Sequence, residues 1–190
     1  MPWQKELKNW VENRNFKLPE GKYPIILCEG PDGAGKSLII DTLMNLIKHC
    51  FMLHTSAPIK KEYGDYFKNL LLKNIEFMKI LEQPFIADRF HIGEAVYGSI
   101  YRNCLLDYKD IEEELLKLNA KQLFVKADTE VLIDRLKKRG DWYVKAEDIV
   151  LILNRYEEEL AKSKLPTFII DTTNNIKPED FENLLHFILK

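Results

Sequence analysis

Short apolar runs alternate with longer stretches of helical periodicity through most of this chain. The runs at 25–28, 50–53, 84–88, 123–127 and 167–171 have strand length and are mostly apolar, with Lys126 as the interior polar residue. Between them, 38–47, 62–82, 91–101, 107–118, 129–139, 146–162 and 178–189 repeat their apolar positions every three to four residues, with Pro178 near the first turn of the last. Over 62–82 the candidate buried side is Leu70, Leu71, Ile75, Met78 and Leu81, and residues 140–146 break the pattern. Strands that are apolar on both faces, separated by helices, require a parallel sheet covered on both sides. The expectation is an α/β fold of three layers with a five-stranded parallel sheet. Ligands of such sheets sit at the carboxyl ends of the strands. That rule gathers 30–37, 54–58, 88–89 and the loop after Ala127 at one rim.

Residues 2–18 stand outside this alternation. Trp3, Leu7, Trp10 and Val11 fall on one side of a helix, and Lys5, Glu6, Lys8, Asn9 and Glu12 on the other. Residues 1–22 therefore read as a helical extension, joined through Pro19-Glu20-Gly21-Lys22 to a domain spanning 23–190. The tryptophan side can pack on that domain or dock a partner, a second copy included. At 190 residues and 46% hydrophobic content, one core suffices. A net charge of −2 gives no bias toward polyanions, so tight nucleic-acid binding is not expected. Cys28, Cys50 and Cys104 lack metal spacing and read as small apolar residues of a reducing, cytoplasmic protein. Neither a membrane span nor a signal peptide is recognisable.

Candidate chemistry starts at Glu29-Gly30-Pro31-Asp32-Gly33-Ala34-Gly35-Lys36-Ser37, which meets G-x-x-x-x-G-K-[ST] at every position, after a strand and before a helix. Glycine lets backbone N–H groups wrap a polyphosphate closely, and the helix opening at Gly35 to Leu38 turns its positive end toward the anion. Lys36 adds a charge for the outer phosphates, and Ser37 can hold magnesium. The motif implies a nucleoside triphosphate such as ATP. Asp88, closing a strand, is the candidate second magnesium ligand, and Arg89 can fork onto a phosphate. His91, Glu94, Gly98 and Arg102 share one helical side near Tyr97, either lining an acceptor pocket or facing solvent. Arg135 to Arg139, with Gly140 as hinge, can close over the transferring group as a lid at about 135–146.

With these residues together the chain resembles the thymidylate kinase-like family of P-loop nucleotide kinases over roughly 23–175. The loop is similar to that family's E-G-x-D-G-x-G-K-[ST], Asp88-Arg89-Phe90 to its D-R-[YF], and Arg135-x-x-x-Arg139-Gly140 to its lid arginines. The resemblance implies a P-loop NTPase fold and magnesium-dependent transfer from ATP to a pyrimidine deoxynucleoside monophosphate. Asp32 would hold the acceptor sugar, Arg89 would bridge phosphates, and Arg135 and Arg139 would close over the donor. The chain departs from the family on the acceptor side: 54–58 reads His-Thr-Ser-Ala-Pro without an arginine, and no arginine stands between Arg14 and Arg89. Lys60, Lys61 and Arg102 are the candidate substitutes. A hydroxyl acceptor, on a nucleoside or on a hydroxymethylated base in DNA, is the alternative, with Asp32, Asp88 and Glu94 as candidate bases. A regulatory GTPase is disfavoured, since no N-K-x-D segment occurs.

Overall fold

The computed structural model describes residues 2–55, 66–140 and 144–190, with residues 2–4 described by backbone alone. Five strands form one all-parallel sheet: β1 (Ile25–Glu29), β2 (Phe51–His54), β3 (Phe85–Asp88), β4 (Lys121–Lys126) and β5 (Thr167–Asp171), in the order β2-β3-β1-β4-β5. β1 and β3 are buried at every position, as their uninterrupted apolar runs demand. Among the described residues eight α-helices cover the sheet in a three-layer α/β fold: α1 (Pro2–Glu12), α2 (Lys36–Leu46), α3 (Tyr66–Ile80), α4 (His91–Tyr101), α5 (Lys109–Lys117), α6 (Thr129–Arg139), α7 (Ile149–Lys162) and α8 (Pro178–Leu189).

Register decides where chemistry can collect. Asp88 pairs with Cys28 on one side and with His54 on the other, so β1, β2 and β3 end on one row. Lys126 pairs with Asp171, which brings the exit of β5 level with that of β4.

Several boundaries move from their predicted places for local reasons. The helical pattern at 2–18 ends at Glu12, and the Asn13 side-chain amide donates to the Asn9 carbonyl at 2.7 Å, a bond that competes with continuing the helix. α7 starts at Ile149 rather than 146, because Ala146–Asp148 winds as a 3₁₀ turn. β4 starts two residues early, at Lys121, whose ammonium lies 5.7 Å above the Phe187 ring and whose stem is buried. Leu70 is 37% exposed: Leu71, Ile75 and Met78 make the buried stripe, and Leu70 lies a further 100° around the helix. The predicted roles of 56–58, Lys60, Lys61, the start of the 62–82 pattern and the middle of the lid fall outside the described residues.

The N-terminal helix packs on the domain. Leu7 is buried, the Trp10 ring lies 6.2 Å from that of Phe181, and Arg14 pairs with Glu182 at 2.6 Å. Among the described residues no helix is long and apolar enough to cross a membrane.

Candidate functional site

The loop between β1 and α2 is shaped by backbone that only glycine tolerates. A Cβ on Gly30 (φ 143°) would sit 2.1 Å from the Val125 carbonyl oxygen, because β4 runs beside β1 there. Gly33 and Gly35 have φ of 80° and 87°. Gly35 is the N-cap of α2 and offers no side-chain cap, so the first N–H groups of that helix are left for an anion. Lys36 is buried and donates to the carbonyls of Gly30 and Pro31, both at 2.9 Å. Burial, helped by the Arg89 charge, pushes its ammonium down to about 8. Ser37 is exposed and Leu38 half-buried one residue further on.

Two clamps hold this loop. The Thr172 hydroxyl, just past β5, donates to the Ala34 carbonyl at 2.8 Å. Arg135 donates to Gly33 O at 3.1 Å, to Thr172 Oγ1 at 2.9 Å and to Thr172 O at 2.6 Å. Behind the loop, the buried Tyr156 hydroxyl donates to Gly30 O at 3.0 Å. Arg135, expected in the lid, is thus bonded to one carbonyl of the cradle and to the hydroxyl and carbonyl of Thr172. Arg139 remains at the rim, its guanidinium 3.7 Å from Asp32 Oδ1 and more than half exposed.

A second cluster faces the loop from the end of β3. Arg89 has φ of 64°, a left-handed conformation unusual for a long side chain. From there its Nη2 lies 2.8 Å from Asp32 Oδ1, with the guanidinium 4.8 Å above the Tyr97 ring. The Tyr97 hydroxyl donates to Asp32 Oδ2 at 2.8 Å and accepts from the Asp32 N–H at 3.2 Å. Burial pushes the Asp32 carboxyl up, but Arg89 and Lys36 outweigh it and hold the group below its ordinary range. Asp88 Oδ2 lies 3.0 Å from His54 Nδ1. Its Oδ1, like Arg89 Nε, is buried without a hydrogen-bond partner among the described residues. Such atoms belong either to strain or to a ligand site. Asp32, Lys36, Ser37, His54, Asp88 and Arg89, with Arg135 and Arg139, line one cleft of about 370 Å³.

The predicted stripe on α4 does not act as one surface. Glu94 and Arg102 form a mostly buried ion pair at 2.6 Å, with the Arg102 guanidinium 5.7 Å above the Phe67 ring. A Cβ on Gly98 would lie 3.2 Å from Glu94 Oε1 and 3.1 Å from the Cys104 carbonyl, so the glycine gap houses this pair. Burial pushes the Glu94 carboxyl up and Arg102 draws it back down. His91 is buried elsewhere, 3.2 Å from Glu112 Oε1, and burial lowers its affinity for a proton.

Two residues without an assigned role emerge here. Thr172 is one, signalled only by its place after a strand. The other is Glu29, whose Oε1 accepts from the Phe90 N–H and Oε2 from the Gly93 N–H, both at 2.9 Å. Burial pushes its carboxyl up to about 7 against those two donors. A larger cavity of about 430 Å³ lies between α5 and α7, where Tyr108 donates to Glu159 at 2.7 Å and Arg155 pairs with Glu159 at 2.9 Å.

This fold is shared with solved structures of known kinases. No family model matches the chain. The SPβ prophage-derived protein YorR of Bacillus subtilis is 28% identical over 152 residues, covering 78% of this chain and 88% of YorR. The crystal structure of YorR in complex with phosphorylated GDP superposes with a TM-score of 0.68 at 26% identity, over 85% of this chain and 95% of that one. A deoxyadenosine kinase from M. mycoides, with products dCMP and dCDP bound, superposes at 0.54 and 20% identity, over 85% of this chain and 96% of its own. At that identity the likeness speaks for the fold.

Proposed function

We propose that this chain is an ATP- and magnesium-dependent kinase that passes the terminal phosphoryl group to a pyrimidine deoxynucleoside monophosphate. One observation carries the reading: Lys36, Arg89 and Arg139 converge with Asp32 and Asp88 on a single cleft whose floor is the glycine cradle. Phosphoryl transfer between two anions needs little else than positioning and positive charge. Lys36 and the free N–H groups of α2 would bind the donor's phosphates, and Arg89, with an unpartnered Nε, would draw donor and acceptor phosphates together. Arg135 would orient the cradle through the Gly33 carbonyl and Thr172, leaving Arg139 to approach from the rim. The unpartnered Asp88 Oδ1 and the exposed Ser37 suit a magnesium ion, which when bound would neutralise charge between the outer phosphates. YorR, bound to phosphorylated GDP, and the deoxyadenosine kinase, bound to dCMP and dCDP, support a nucleotide at this place.

The state of the carboxylates favours a monophosphate over a hydroxyl acceptor. A hydroxyl needs a base, yet both Asp32 oxygens are taken by Arg89 and Tyr97, and Glu94 is paired with Arg102. A monophosphate arrives ionised and needs none. The absence of an arginine from 15–88 supports the hydroxyl alternative, a nucleoside or a hydroxymethylated base in DNA, for which Asp88 Oδ1 would be the proton acceptor. Incubation with ATP, magnesium and a panel of deoxynucleoside monophosphates, nucleosides and hydroxymethylated DNA decides between them. The expected product is a deoxynucleoside diphosphate, with transfer abolished by Lys36→Ala. Hydrolysis of ATP without any phosphorylated acceptor would overturn the kinase assignment.

A further inference from the structure

Glu29 is fully buried, makes no direct ion pair among the described residues although the charges of Arg89 and Lys36 act on it, and occupies the last position of β1, next to the cradle. A buried carboxylate is a poor choice if stability alone were at stake, since an apolar residue fills the same space without desolvating a charge. Its two hydrogen bonds show another use. The N-cap of α4 is Phe90, which has no side-chain cap of its own. Glu29 supplies that cap from a neighbouring strand, one oxygen on the Phe90 N–H and the other on the Gly93 N–H. Between β3 and Phe90 stands Arg89, whose left-handed backbone needs support from outside. Gly93 completes the arrangement. A Cβ there would fall 2.8 Å from Glu29 Oε2 and 3.1 Å from the Arg89 Cβ, so one missing methyl makes room for both residues.

We propose that Glu29 is a positioning residue for the transfer step: its carboxylate bridges two N–H groups of the β3–α4 turn and so keeps Arg89 in the conformation that aims its guanidinium at Asp32 and the cleft. The inference rests on the kinase reading above. Because Glu29 also adjoins Gly30, the same side chain fixes the donor cradle relative to the acceptor helix. A carboxamide in its place keeps the volume but turns an NH₂ group toward one of the two N–H donors, and loosens the turn.

The test is a double-mutant cycle with Arg89. Glu29→Gln should lower kcat for the preferred acceptor roughly 10- to 100-fold at saturating substrates, as misplacement of a catalytic group does. Its equilibrium affinity for ATP should stay within about threefold of the parent, because the cradle itself is held by Thr172 and Arg135. In an Arg89→Ala background the same substitution should change kcat less than about twofold. Glu29→Asp, which keeps the charge on a side chain too short to reach both N–H groups, should reproduce the kcat loss and stands in if Glu29→Gln fails to fold. Unchanged kcat in either single variant, or full additivity with Arg89→Ala, would overturn the role of Glu29. Absence of transfer by the parent chain would instead overturn the kinase reading, so the two failures are separable.

Discussion

A carboxylate that titrates near neutrality has a measurable signature in stability. Glu29 takes its proton at about 7 when folded against an ordinary 4.5, because burial outweighs the two N–H donors. Its contribution is therefore complete below 4.5 and is lost as pH rises toward 7. Paired thermal unfolding of the parent and Glu29→Gln between pH 5 and 8 should show the variant gaining on the parent by roughly 5–10 °C across that range. Parallel curves would mean that Glu29 ionises as an exposed carboxylate does. At this scale Asp32, Lys36, Ser37, Asp88 and Arg89 stand out in the sequence because each residue type is tied to phosphate or metal, and the fold brings them to one cleft. Arg135 was legible as a cation but not as a clamp. Its partners include carbonyls up to 102 residues away, and a carbonyl leaves no mark in a sequence.

Elements were easier to read than their ends. Apolar runs identified all five strands, and those of β1 and β3 are the least interrupted because both are buried at every position. The α4 stripe was misjudged because spacing reports which residues share a side of a helix, not which neighbour covers them: α5 covers His91, and Phe67 of α3 lies under Arg102. The element that makes the cradle rigid is the turn after β5. Thr172→Val removes the hydroxyl that both donates to Ala34 and accepts from Arg135, leaving the Ala34 carbonyl without that donor and Arg135 with two carbonyls only. ATP binding followed by calorimetry should weaken roughly tenfold, and Thr172→Ser should recover most of the loss. Equal affinity in Thr172→Val would show that the loop holds its shape alone.

For the whole molecule, the N-terminal helix contributes to the core and not to the cleft, none of whose lining residues it supplies. Leu7→Ala should cost about 2–5 kcal/mol, a fall of roughly 5–15 °C in the unfolding midpoint, with transfer at low temperature unchanged. A selective loss of transfer would place α1 in the site after all. The strand order has a longer-range meaning. β1 stands in the middle, with β4 and β5 bracing the triphosphate cradle on one flank and β3 and β2 furnishing Arg89, Asp88 and His54 on the other. On the proposed reading, inherited changes along the outer flank, where β2 forms the edge, would redirect the phosphate to a new recipient while the grip on the donor passes unaltered from ancestor to descendant.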